Sequence, residues 1–173
     1  QGDSILDVGC GKGTIMNQMV SARKTFRFAT GVDIFRLYLT SCKLEGVYNE
    51  LVLCDCRNLP FRAKSFDLVL CSNVIEHLEK EDGIELLNNL DTIAERRIVV
   101  VTPMFSYPEV SIKNLVDHNP FQKHRSKWLP FEFESRGYKV RGQGLHIKAK
   151  SQQGALWTLI RTRQDETKAK SIY

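Results

Sequence analysis

The chain lacks any apolar run near the roughly 18 residues that a membrane-spanning helix needs; its most β-branched stretch, Ile98 to Val101, stops at Thr102 and Pro103. A bilayer span is therefore not expected. There is no block of five or six like charges, no internal repeat and no low-complexity tract, which removes polyionic tails, repeat arrays and disordered linkers. Cysteines number five, an odd count that suits a reducing, cytoplasmic compartment better than a disulfide scaffold. The paired C-x₂₋₄-C spacing of zinc sites is missing, because Cys54 and Cys56 are separated by Asp55 alone, so no metal is expected at Cys10, Cys54, Cys56, Cys71 or the following His77. Ser72 has no G-x-S-x-G surroundings, which argues against a hydrolase.

What is present is an ordinary globular balance, 42% hydrophobic and 26% charged over 173 residues. That length is one domain with one core, expected over residues 1–163 with a polar tail at 164–173. The formal charge of +5 is unevenly placed. Gln1 to Pro103 carries 12 Lys/Arg against 14 Asp/Glu, a net of −2, and Met104 to Tyr173 carries 13 against 6, a net of +7. Such a basic excess draws anionic partners by long-range attraction, although a solvated lysine-rich surface reads the same way.

Strand and helix patterns alternate along the chain. Ser4–Val8, Phe28–Ile34, Glu50–Cys54, Ser65–Ser72 and Arg97–Thr102 read as buried strands. Thr14–Lys24, Phe35–Glu45 and Glu79–Ala94 carry apolar residues at helical spacing, the last through Ile84, Leu87, Leu90 and Ile93. Pro103 to Arg125 has no periodicity, the mark of a functional or a disordered loop. A helix over Lys127–Arg136 follows, then two strands, Tyr138–Ile147 and Ala155–Arg163, around a polar turn at Ser151 to Gly154. The expected fold is α/β: a doubly wound, mostly parallel seven-stranded sheet with a C-terminal antiparallel hairpin and helices on both faces.

Gly9-Cys10-Gly11-Lys12-Gly13 falls between the first strand and the first helix. Glycines there admit a ligand to the main chain, and the helix start offers free N–H groups. Asp33 ends the second strand, 22 residues after Gly11, where open sheets place a carboxylate against ribose hydroxyls. Two nucleoside cofactors fit this pair, a nicotinamide dinucleotide and S-adenosylmethionine. The dinucleotide fingerprint G-x-G-x-x-G is not met, because the third glycine comes one residue early. Asp7 either reaches a ligand ammonium or anchors the loop.

Ile5 to Gly13 (ILDVGCGKG) resembles the first motif of class I S-adenosylmethionine-dependent methyltransferases. Gly31 to Phe35 (GVDIF) resembles their ribose motif, Cys54 to Phe61 (CDCRNLPF) their adenine motif and Phe66 to Leu78 (FDLVLCSNVIEHL) their fourth motif. His118 to Trp128 and Arg136 to Val140 are similar to a subset of small members that act on sugars or lipids. The resemblance implies S-adenosyl-L-methionine as cofactor and S-adenosyl-L-homocysteine as product. It assigns Asp7, Gly9, Cys10 and Gly11 to the methionine end and Asp33 to the ribose, with Ile34 against adenine. Asp55 and the Cys56 N–H are assigned to the adenine edge, and Asn73 and Val74 to the sulfonium. Family members carry a helix ahead of the first strand, and here that helix would lie upstream of Gln1.

For the acceptor side, Glu76 and His77 are the titratable pair nearest the fourth strand and the candidates for a general base, with helix capping as the structural alternative. His118, Lys123, His124, Arg125 and Trp128 form a basic and aromatic set suited to a phosphate or carboxylate substrate. The expected activity is methyl transfer to a small or carrier-linked, anionic acceptor. The competing readings are a non-catalytic cofactor-binding regulatory module, an RNA methyltransferase and, least favoured, an NAD-dependent oxidoreductase.

Overall fold

A computed structural model of the chain describes residues 3–103, 118–143 and 156–162. Seven strands form one sheet in the order β3-β2-β1-β4-β5-β7-β6. They are β1 (Asp3–Val8), β2 (Phe26–Asp33), β3 (Glu50–Leu53), β4 (Phe66–Ser72), β5 (Ala94–Pro103), β6 (Lys139–Gln143) and β7 (Leu156–Thr162). The first five pair in parallel, and β7 inserts antiparallel between β5 and β6. Strand order reverses between β1 and β4, so the two neighbouring connections diverge there and open a crevice at the strand C-termini.

Side-chain alternation assigns the two faces. Leu6, Val8, Val32, Val69, Cys71, Ile98 and Val100 point to one side, where they pack with Leu86, Leu87, Leu90 and Ile93 of α3 (Lys80–Ile93) and with Trp128, Phe133 and Tyr138. Ile5, Ala29 and Leu70 point to the other, against Met16 of α1 (Thr14–Ser21). The helix α2 (Arg36–Glu45) joins that face through Leu39 and Cys42, which pack with Cys10 and Tyr48. Its end is set by Gly46, whose left-handed φ of 68° lets its N–H reach the Cys42 carbonyl at 3.1 Å.

Several boundaries shift from expectation. The first helix ends at Ser21 rather than Lys24, and Val20 is exposed on it. In α3 the buried stripe runs Gly83, Leu86, Leu87, Leu90 and Ile93, with Ile84 turned out; a stripe that follows 3.6 residues per turn picks out Leu86, whereas a spacing of three picks out Ile84. The helix expected over Lys127–Arg136 is only α4 (Pro130–Glu134), because Pro130 starts it and the Glu132 carboxylate accepts the Leu129 N–H at 2.8 Å to close its first turn. The polar turn at Ser151 to Gly154, most of the loop after Pro103 and the tail 164–173 lie outside the described residues. Among the described residues, no helix is long and apolar enough to cross a membrane.

Candidate active site

The glycine turn is built by its neighbours. Gly9 and Cys10 both donate their N–H to the Val32 carbonyl, at 2.8 and 2.9 Å, which ties the end of β1 to β2. Gly9, Gly11 and Gly13 all have left-handed φ, at 69°, 56° and 78°. A Cβ on Gly9 would collide with the Val74 Cγ2 methyl, so this glycine lets the turn and the end of β4 approach one another. Gly9→Ala is expected to cost about 1–3 kcal/mol of stability through that overpacking and to weaken cofactor binding, as read by urea unfolding and calorimetric titration.

Asp33 is fastened to the turn from the other side. One carboxylate oxygen accepts the Gly11 N–H at 2.9 Å and the other the Phe35 N–H at 2.8 Å. Those bonds orient the carboxylate, and burial pushes its pKa up while the N–H donors act in the opposite direction. Asp55 starts a 3₁₀ turn, Cys56–Asn58, and accepts the Arg57 N–H at 3.0 Å. Its carboxylate also grips the Arg57 guanidinium, at 2.6 Å for the shortest pair, which holds its pKa below the ordinary carboxylate value. Any adenine amino group bound there shares that carboxylate with Arg57. Asn73, just past β4, has a φ of 54°, a left-handed backbone that asparagine tolerates better than other non-glycine residues and that marks a constrained turn.

These residues share one cleft of about 750 Å³. Gly9, Cys10, Gly11, Asp33, Ile34, Asp55, Cys56, Asn73 and Val74 all line it, as do His77 and Arg125. Tyr38 and Asn119, which the sequence did not single out, also line it; Tyr38 stands in no motif, Asn119 is a neutral residue within the His118–Trp128 stretch, and folding brings both to the wall.

Asp7 is not on that wall. It is buried beneath the turn, where it accepts the Tyr48 hydroxyl at 2.6 Å, the contact expected of a loop anchor. Burial, opposed by the tyrosine bond and assisted by Asp33, raises its pKa to about 6. A carboxyl whose folded pKa lies above its unfolded value of 3.8 binds more protons when folded, so its contribution to stability is greatest below pH 3.8 and is lost as pH rises to about 6. Asp7→Asn is therefore expected to flatten the fall in urea-unfolding free energy between pH 4 and 6, a window set by those two values.

On the acceptor side the two members of the expected pair meet different surroundings. His77 lines the cleft, but the Glu76 carboxylate is 3% exposed and turned into the protein, where it accepts the Thr102 hydroxyl at 3.1 Å. Burial, with His124 adding repulsion, lowers the His77 pKa to about 4 and keeps its imidazole neutral at physiological pH. Burial lowers His124 as well.

The segment after Asn119 is stapled to the Ile75–His77 turn by the Arg125 and Ser126 N–H groups, which donate to the Glu76 carbonyl at 2.8 and 3.2 Å. Of the expected acceptor set, Arg125 reaches the cleft and His118 and Lys123 are exposed beside it. Trp128 is not on the cleft wall. It is 3% exposed, donates its indole N–H to the Ser126 hydroxyl at 2.9 Å, and lies beneath the Lys80 ammonium.

A doubly wound sheet with a glycine turn and a strand-end aspartate at its switch point defines a nucleoside-cofactor-binding α/β domain. Residues 6–96, just over half of the 173, match the methyltransferase domain family. The chain belongs to that family, the class I S-adenosylmethionine-dependent methyltransferases. It is 31% identical over 139 residues to an uncharacterised protein of Methanocaldococcus jannaschii, covering 79% of this chain and 55% of that one. It is 31% identical over 84 residues to the ubiquinone biosynthesis O-methyltransferase of Neisseria meningitidis, covering 45% of this chain and 34% of that enzyme. The chain thus spans about half the length, or less, of these relatives. Among solved structures, the magnesium protoporphyrin IX methyltransferase of Synechocystis with bound S-adenosylhomocysteine superposes with a TM-score of 0.66 at 17% identity, over 94% of this chain and 74% of that one.

Proposed function

We propose that this chain binds S-adenosylmethionine in the cleft and transfers its methyl group by in-line displacement to a small or carrier-linked acceptor bearing anionic groups. The observation that carries the reading is the convergence of four separate segments on one cleft wall: the glycine turn, Asp33, the Asp55–Cys56 pair and the Asn73–Val74 pair. Their roles follow from their chemistry. The Asp33 carboxylate keeps lone pairs for two ribose hydroxyls, and the Cys56 N–H faces the adenine edge. The turn at Asn73 and Val74 borders the sulfonium. A sulfonium is already a good leaving group, so catalysis consists mainly of holding nucleophile, methyl and sulfur in line.

The acceptor enters beside Asn119, Phe121, Gln122 and Arg125, which line the same cleft, and Arg125 together with the neighbouring Lys123 favours a phosphate or carboxylate. His77, neutral and on the wall, is the side chain able to take a proton from the acceptor.

The test is a calorimetric titration with S-adenosylmethionine, S-adenosylhomocysteine and NAD in parallel. Binding of both sulfur nucleosides with NAD inert is expected; NAD binding alone, or no binding by any of the three, would overturn the reading. With the cofactor established, an acceptor screen follows, in which an RNA substrate would betray itself by an affinity falling steeply with salt.

A further inference from the structure

We propose that Glu76, His77 and His124 bind one divalent transition-metal ion at the edge of the cleft. Each offers one ligand atom, and the three atoms lie within 4.8 Å of one another. Bonds of about 2.0–2.2 Å to one ion place its ligands roughly 3–3.5 Å apart, so small side-chain rotations close the set. Two imidazoles and one carboxylate are a ligand set used by zinc and by non-haem iron, and both use it with coordination positions left open for a small molecule.

Three features of this chain support the site independently of ligand spacing. The first is the Glu76 carboxylate, which is 3% exposed and has only one of its oxygens paired, with Thr102; the Oε1 atom is buried without a hydrogen-bond partner. A carboxylate this deep ordinarily has both oxygens satisfied, and a cation does so.

The second is the orientation of His77. Its Nδ1 lies 3.3 Å from the Lys123 carbonyl, and the Gln122 backbone also hydrogen-bonds the ring, so the main chain of the 122–123 segment fixes its orientation. An imidazole whose orientation is fixed by backbone carbonyls is the usual support of a metal-binding histidine.

The third is how His124 arrives. It is remote in sequence, yet the donations of Arg125 and Ser126 to the Glu76 carbonyl fasten its segment to the turn that carries the other two ligands. Its ring meets the His77 ring edge-on, with centroids 4.8 Å apart.

Because His77 also lines the cleft, an ion held here would stand beside the bound acceptor. In the loaded protein His77 orients the ion and no longer takes a proton. The site itself needs only these three side chains, so its test does not depend on methyl transfer.

Protein freed of metal by dialysis against a chelator is titrated with Co²⁺ alone, followed by its visible d–d absorption, and with Zn²⁺ in competition. One equivalent is expected to bind. His77→Ala and His124→Ala should each abolish the spectrum, and Glu76→Gln, nearly isosteric, should weaken binding strongly. Thr102→Val, which removes only the support of Glu76, should weaken it by about 10–100-fold. Binding of S-adenosylhomocysteine by His124→Ala reports that the variant is folded. No cobalt spectrum in the folded protein overturns the site, as does a spectrum that persists in the His77→Ala/His124→Ala double variant or one dominated by thiolate charge-transfer bands from the cysteines.

Discussion

Trp128→Ala is expected to lower the unfolding free energy by about 3–5 kcal/mol, the range for deleting a large buried aromatic side chain. The indole packs against Phe133 with ring centroids 5.4 Å apart and closes over Gly83, where an added Cβ would come within 2.5 Å of it. The Lys80 ammonium stands 3.6 Å above the ring centre and is itself paired with Glu132 at 2.7 Å. One side chain thereby joins α3, α4 and the segment that carries His124. The indole N–H also reaches toward the Ile75 carbonyl at 3.3 Å, on the turn that holds His77. Trp128→Phe keeps much of the apolar contact and loses the N–H donor, so it should cost well under half as much. Urea unfolding of both variants measures the difference. Equal losses would mean that the hydrogen bonds, rather than the packing, hold the segment down.

Asp33→Ala is expected to weaken S-adenosylhomocysteine binding by about 100-fold, or roughly 3 kcal/mol, from losing charge-assisted hydrogen bonds to two ribose hydroxyls. The same substitution strips the Gly11 and Phe35 N–H groups of their acceptor, so the glycine turn loses an anchor as well as the ligand a partner. Asp33→Asn separates the two effects: an amide oxygen can still accept from one N–H group, while the charge is gone. Calorimetry on both variants beside the unchanged protein gives the values. A change of less than about threefold in either variant would place the ribose elsewhere.

Asp55→Ala has a smaller expected effect, because Arg57 already occupies part of that carboxylate.

Much of the cofactor half was legible from local order. A buried parallel strand has both faces covered and reads as a continuous apolar run, so β1, β4 and β5 stand out, and glycines at its end mark a turn that other residues cannot make. On the cofactor side, Gly9, Asp33, Asp55 and Asn73 sit at or just past strand C-termini, beside a recognisable run. Asp7 shows the limit of that reading. Its place at the end of β1 suggests a ligand contact, yet strand alternation turns its side chain toward Tyr48 on the α1 and α2 face. Trp128 shows the same limit: an indole among lysines and arginines reads as an exposed platform, and only the void over Gly83 shows why it is buried.

The acceptor half depends on long-range pairing. Glu76 and His77 are adjacent in sequence, but the 3₁₀ turn Ile75–His77 sends one inward to Thr102 and the other to the cleft. His124 joins them through backbone bonds between residues 49 and 50 apart in sequence, from Arg125 and Ser126 to Glu76. By itself, the sequence determined the order of strands and helices, the glycine turn and the carboxylate opposite it, because strand burial, glycine backbone freedom and 3.6-residue periodicity are local properties. The convergence of Glu76, His77 and His124, and the burial of Trp128, were decided only by the tertiary structure, because a contact between distant segments depends on how helices and loops pack across the finished sheet.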